Sequence, residues 1–127
     1  MDTLKIAAWN SNGLQQRVIE TKTSLYNNNI DILLVSETHF IPKDYMKIPY
    51  YTIYDTAYKQ PSGKAHEGAA VIVRNDIKHN LYNQISQKHV QATTDTIQTN
   101  SNYIQMSAVY ALYMRHKMTS QKWEQYF

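Results

Sequence analysis

Two apolar runs with a helical stretch between them constrain this chain more than any other feature. Leu4-Lys5-Ile6-Ala7-Ala8-Trp9 alternates and then turns continuously apolar, and Ile30-Asp31-Ile32-Leu33-Leu34-Val35 is apolar almost throughout. Such runs read as strands entering a core, the second covered on both faces. Between them Leu14, Val18 and Leu25 fall near one face of a helical projection, which predicts a helix over 14–26 ending at Asn27-Asn28-Asn29. Asn12, followed three residues later by Gln15, reads as a capping box at its start. Strand, helix and strand in this order predict a parallel crossover, which brings both carboxyl ends to one sheet edge. Each strand stops at a polar segment, Trp9-Asn10-Ser11-Asn12-Gly13-Leu14 or Ser36-Glu37-Thr38-His39. Asn10, Asn12, Glu37 and His39 are therefore expected to converge.

The remainder reads mostly as strands. Tyr50 to Tyr54 and Gly68 to Arg74 have strand patterns, the second buried, and Lys59 to Lys64 reads as an exposed loop between them. Further strands are predicted around 77–85, 94–98 and 102–110, and Thr119-Ser120 is placed to cap a short helix carrying Trp123, Tyr126 and Phe127. With 43% hydrophobic and 18% charged residues in 127, the chain has the composition of one folded domain. Many strands and only two helices leave too little helix to cover the sheet faces, so the chain is expected to be part of a larger fold.

Several classes fall away. Without Cys there are no disulfides, thiolate zinc sites or cysteine nucleophiles. The start of the chain lacks a charged leader followed by a long apolar stretch, and no run approaches ~18 apolar residues, so neither secretion nor membrane insertion is expected. A Gly-rich phosphate loop, a G-x-S-x-G elbow and a paired acidic motif on one helix are all missing from the sequence. The net charge of +3 suits a polyanionic partner without demanding one. Eleven Tyr can stack on bases, but packed rings are the commoner use.

Glu37 has the chemistry to hold a hard cation such as Mg²⁺, which takes oxygen ligands and often only one or two protein carboxylates plus a phosphate. A Glu after a strand is more often a solvated loop residue. Asn10 can donate to a phosphate or a carboxylate while its carbonyl faces a metal-bound water. Asn12 belongs to an Asn-x-Asn-Gly stretch that is equally good turn chemistry. His39 could bond a phosphate or orient Glu37. Tyr110 could place its hydroxyl against a phosphate, and Arg115 could meet a nucleic-acid backbone. His66, His79, His89 and His116 show no metal-ligand spacing.

The segments Trp9 to Leu14, Ser36 to His39, Gly68-Ala69-Ala70-Val71-Ile72-Val73 and Ala108-Val109-Tyr110 stand in the order and spacing of the endonuclease/exonuclease/phosphatase superfamily. More narrowly, they resemble the apurinic-endonuclease-like domain of non-LTR retrotransposons of the LINE and jockey type. The resemblance implies a two-sheet, four-layer α/β sandwich of the DNase I-like kind, of which 1–127 would be the N-terminal part of a single domain. It also implies an endonuclease that uses Mg²⁺, with Mn²⁺ as an alternative, and nicks target DNA ahead of reverse transcription. The implied partners are the DNA phosphate backbone and a downstream reverse transcriptase domain, while the lack of Cys, of a leader and of a long apolar run leads to the expectation of a nuclear or cytoplasmic setting with no membrane. By the same resemblance Glu37 is the metal-binding glutamate, Asn10 the asparagine beside metal and phosphate, and Tyr110 the tyrosine on the scissile phosphate. Asn12, His39 and Arg115 are the substrate-binding candidates.

Two departures bear on activity. After Tyr110-Ala111 the family continues into a small residue and proline, whereas here Leu112-Tyr113-Met114 follows. The Gly-Asp-Phe-Asn and Ser-Asp-His segments, which supply the phosphate-orienting and general-base groups, do not occur. The chain by itself is expected to be inactive. A non-catalytic nucleic-acid- or protein-binding remnant and a sugar or lipid phosphatase branch are the competing readings.

Overall fold

The computed structural model describes residues 3–40, 46–57 and 67–111. Seven strands form two sheets: β1 (Ile6–Asn10), β2 (Ile32–Ser36), β3 (Tyr51–Thr56) and β4 (Ala69–Arg74) in the order β1-β2-β4-β3, then β5 (His79–Gln87), β6 (Val90–Gln98) and β7 (Tyr103–Ala111) as a three-stranded meander. One helix, α1 (Val18–Asn27), connects β1 to β2. The expected crossover is present, with β1 parallel to β2 and Asn10 opposite Ser36. The other pairs are antiparallel. This is the expected two-sheet α/β architecture, and the helix predicted after Thr119 lies outside the described residues.

The apolar pattern explains the layers. Adjacent strand residues point to opposite faces, so β2 and β4 can be apolar throughout only if both faces are covered. Leu33, Val35 and Ile72 face α1 and pack with Leu14, Leu25 and Phe40, while Ile32, Val71 and Val73 face the second sheet and pack with Ile97 and Ala108. A fully buried aliphatic side chain stabilises by roughly 1.5–3 kcal/mol, so these two clusters fix which strands stack. Asp31 interrupts the apolar run as a paired group: Arg74 meets it at 3.0 Å and the Lys5 backbone N–H donates to it at 2.7 Å, which offsets its desolvation.

The helix starts later than its apolar pattern suggested. Asn12 (φ 47°) and Gly13 (φ 105°) make the turn, a single 3-10 turn follows at Gln15–Arg17, and α1 begins only at Val18. The capping box does not form: neither helical segment has a side-chain cap at its start. The cause is a competing set of bonds. Gly13 and Leu14 give their backbone N–H groups to the carbonyls of Glu37 and Thr38 at 2.9 and 3.0 Å, so the entering chain is held by the loop after β2. At the other end the Asn tract closes the helix as expected: Asn28 bonds Ser24 O, Asn29 turns left-handed (φ 50°), and Ile30 N–H returns to Leu25 O.

Between the sheets a carboxyl group is buried. Asp95 on β6 is fully buried, 3.2 Å from His79 Nδ1 on β5, and Tyr54 of β3 reaches the same nitrogen at 3.3 Å. Burial pushes the Asp95 carboxyl above the usual carboxylate range, and His79 only partly opposes this. An acid with a raised folded pKa binds more protons folded than unfolded. Its penalty is absent below the unfolded value of about 4 and grows as pH rises through the folded value. Asp95→Asn is therefore expected to be more stable than wild type at neutral pH, with the difference vanishing near pH ~3. Urea midpoints measured across this range check it, and a variant less stable at every pH would contradict it.

Candidate metal and phosphate site

Because β1 and β2 are parallel and paired to their last residues, the two polar segments leave the sheet side by side. They are then bonded together. Ser11 N–H donates to Ser36 O at 3.0 Å and its buried hydroxyl to Glu37 O at 3.0 Å, and Gly13 and Leu14 continue the ladder. Two of the residues so held are strained, Glu37 at φ 53° and His39 at φ 57°. Non-glycine residues in this region cost of order 1 kcal/mol each, and such strain collects at functional sites.

The strain fixes where the side chains go. Glu37 accepts a hydrogen bond from the Asn10 side-chain amide, whose carbonyl in turn accepts from Asn12 N–H at 3.2 Å. The other Glu37 carboxylate oxygen faces His39 Nε2 at 3.6 Å. Glu37 is 28% exposed, so the carboxylate stands at the rim, open to solvent on one side. Tyr110, near the end of β7, lies in the same field. Its hydroxyl is held above its ordinary pKa first by burial and then by the negative charges of Glu37 and Glu67. It therefore stays a proton donor throughout the neutral range.

Thus Asn10, Glu37 and His39 meet at the sheet edge, as the parallel crossover led one to expect, and Tyr110 feels the charge of Glu37. Asn12 reaches the group through its backbone in the left-handed turn, with its side chain exposed. Arg115 lies outside the described residues.

A supporting layer went unread in the sequence. Thr38, buried between the strained residues, donates to Asp55 at 2.8 Å, and His39 N–H donates to Glu67 O at 2.8 Å. Glu67 is itself buried, facing His89 at 3.8 Å and accepting from Gln91 at 3.4 Å. Gln91, with no exposed surface, also accepts from Gly68 N–H at 3.1 Å and donates to Gln87 O at 2.9 Å. The second sheet thereby grips the loop that carries Glu37. Its one sequence signal was Gly68 ahead of a buried strand, where close backbone approach favours glycine.

The donor set decides what ion the site suits. Among the described residues no three His, Cys, Asp or Glu side chains gather as they would for zinc. A single rim carboxylate held by an amide suits a hard cation that keeps most of its waters and shares a phosphate. Glu37 fits that role. As oriented, Asn10 turns its carbonyl to the backbone and its NH₂ to Glu37, so it positions the carboxylate.

No family model matches the chain. It is 32% identical over 108 residues, 85% of its length, to the RNA-directed DNA polymerase from the mobile element jockey of Drosophila melanogaster. It spans only 12% of the length of that curated relative. Among solved structures it is similar to the endonuclease domain of TRAS1, a telomere-specific non-LTR retrotransposon, with TM-score 0.53, 17% identity, and 98% of this chain and 51% of that one covered. An endonuclease/exonuclease/phosphatase family protein from Leptotrichia buccalis matches with TM-score 0.58 and 16% identity, over 88% of this chain and 54% of that one. At these identities the structural likenesses show the fold.

Proposed function

We propose that this chain, which has the endonuclease/exonuclease/phosphatase fold and is similar in sequence to a segment of a jockey-type retrotransposon protein, forms the metal-binding wall of a DNA-nicking endonuclease. The observation that carries the reading is the Asn10–Glu37 pair, held at the ends of two parallel strands by strained backbone.

In this reading Glu37 would hold Mg²⁺, or Mn²⁺ in its place, and the bound ion would supply positive charge against the negative charge developing on the scissile phosphate. Asn10 fixes the carboxylate through its NH₂ and so sets where charge is presented. Tyr110, kept protonated, donates its hydroxyl to a phosphate oxygen. His39 and Asn12 border the approach of the backbone, and Arg115 adds a fork donor to the next phosphate. DNA is the proposed partner, with a reverse transcriptase domain in the same polyprotein, as the name of the relative suggests.

Among the described residues the other carboxylates near the site are already engaged: Glu67 is buried with Gln91 and His89, and Asp55 accepts from Thr38. In this reading neither serves as the general base. General-base activation contributes ~10²–10⁴-fold, so this chain alone is expected to bind DNA without turning it over.

The test is fluorescence anisotropy with a labelled duplex, with and without Mg²⁺, alongside nicking of supercoiled plasmid. The expected result is Mg²⁺-enhanced binding lost in Glu37→Ala, and no nicking above background. Binding that falls with salt but ignores Glu37→Ala would favour a non-catalytic binding role. Nicking lost in Glu37→Ala would overturn the inactivity while supporting the site.

A further inference from the structure

A second cleft lies at the end of the four-stranded sheet remote from Glu37. β3 and β4 pair from Thr56 opposite Ala69, beside Ser36, to Tyr51 opposite Arg74, and the six residues of β4 set these ends roughly 17 Å apart. The cleft at the Arg74 end has a volume of 470 Å³, within the range of small-ligand sites. Three tyrosines line it, Tyr26 from α1 and Tyr50 and Tyr51 where β3 begins.

Two of the rings are fixed. Tyr51 is buried with its hydroxyl on Ile30 O at 2.6 Å. Tyr26, 6.1 Å from it between ring centres and tilted by 49°, is tied by its hydroxyl to Pro49 O at 3.0 Å. The third ring stands out. Tyr50 is 76% exposed, yet its backbone is held at φ 72°, with its carbonyl accepting from Asn75 N–H at 2.8 Å. A bulky residue in the left-handed region costs of order 1 kcal/mol or more, and such strain collects where ligands are held. An exposed ring gains little from packing, so the core does not offset that cost.

The charges select the ligand. The Arg74 guanidinium lies 5.9 Å from the centre of the Tyr51 ring and is paired with Asp31 at 3.0 Å. Asp76, also lining the cleft, acts electrostatically on the same guanidinium. Two carboxylates against one guanidinium leave an excess of negative charge. Tilted rings beside that charge suit a compact cation. A nucleobase stacks best on parallel faces, and its phosphates would be repelled by Asp31 and Asp76.

We propose that this cleft receives a trimethylated lysine side chain from a partner peptide. Aromatic faces attract such a cation most strongly where water is excluded. An unmethylated ammonium is strongly hydrated and brings three N–H donors that need partners, whereas the trimethylated head brings none. The volume admits the lysine stem as well as the head, and Asn29 and Asn75 stand exposed at the rim, where their amides can bond a peptide backbone. A choline headgroup carries a phosphate close to its nitrogen, which the two aspartates disfavour. The proposal does not rest on the metal chemistry of the Glu37 site.

The test titrates the full chain with a short neutral peptide carrying one trimethyl-lysine, followed through the tyrosine ring-proton NMR signals. The unmethylated peptide, tetramethylammonium chloride and phosphatidylcholine vesicles are run in parallel. The expected result is saturable shifts at Tyr26 and Tyr50, reversed by tetramethylammonium, with the unmethylated peptide weaker by about 10-fold or more. Tyr50→Ala should weaken binding about 10-fold, and Tyr50→Phe should keep it within about 2-fold, because the ring and not the hydroxyl holds the cation. Asp76→Asn should weaken it about 3-fold. Tyr82→Ala, at a 63% exposed ring on β5, should leave it unchanged. No saturable binding, equal binding of the two peptides, full binding by Tyr50→Ala, or tighter binding to the vesicles than to the peptide would each overturn the proposal.

Discussion

Gly68→Ala is expected to destabilise the chain by about 2–4 kcal/mol, combining a left-handed backbone penalty with overpacking. Gly68 sits at φ 112°, and a Cβ there would stand 2.2 Å from Thr38 Oγ1. Thr38 cannot easily yield, because its hydroxyl is bonded to Asp55 and its N–H reaches Gly68 O at 3.4 Å. The displaced residue lies between Glu37 and His39, so the substitution also loosens the site. Gly13→Ala is the control. Its φ is 105°, yet the nearest atom to the added Cβ is His39 Nδ1 at 3.5 Å, so only the backbone penalty of about 1–2 kcal/mol applies. Urea denaturation of both variants isolates the clash, and equal losses would contradict it.

Gln91→Leu is expected to cost about 3–5 kcal/mol. The substitution keeps the volume nearly constant but strips partners from two buried groups, Gly68 N–H and the Glu67 carboxylate, and from the half-buried Gln87 carbonyl. An unsatisfied buried polar group costs about 1–3 kcal/mol, more when charged. Adding Glu67→Gln removes the orphaned charge, so the double variant should recover part of the loss. A double-mutant cycle by chemical denaturation reads the coupling. Additive effects would show that Glu67 and Gln91 act independently, against the packing described.

What the sequence made legible was set by period and by punctuation. Continuous apolar runs at Ile30 to Val35 and Gly68 to Arg74 announced strands covered on both faces, and the helical spacing of Leu14 and Leu25 announced the crossover. Pairing β1 with β2 then followed from handedness rules, and with it the meeting of Asn10 and Glu37. The start of α1 was misjudged because its N-terminal bonds go to the carbonyls of Glu37 and Thr38, distant in sequence. The Glu67–Gln91 grip was invisible for the same reason. Gln91 belongs to a strand with ordinary polar alternation, and nothing local marks its side chain as turned inward toward Gly68. Tyr excess carried no functional message on its own: Tyr51 is buried and donates to Ile30 O at 2.6 Å, and Tyr26 ties α1 to Pro49 O at 3.0 Å.

The central claim is that Glu37, positioned by Asn10, presents a carboxylate to a hard divalent cation. Titration of the chain with Mn²⁺, followed by the loss of free-ion electron paramagnetic resonance signal, tests it without requiring turnover. One weak site per chain is predicted, removed by Glu37→Ala, weakened by Asn10→Ala and competed by Mg²⁺. Mn²⁺ binding of the same strength and number in Glu37→Ala would contradict the account.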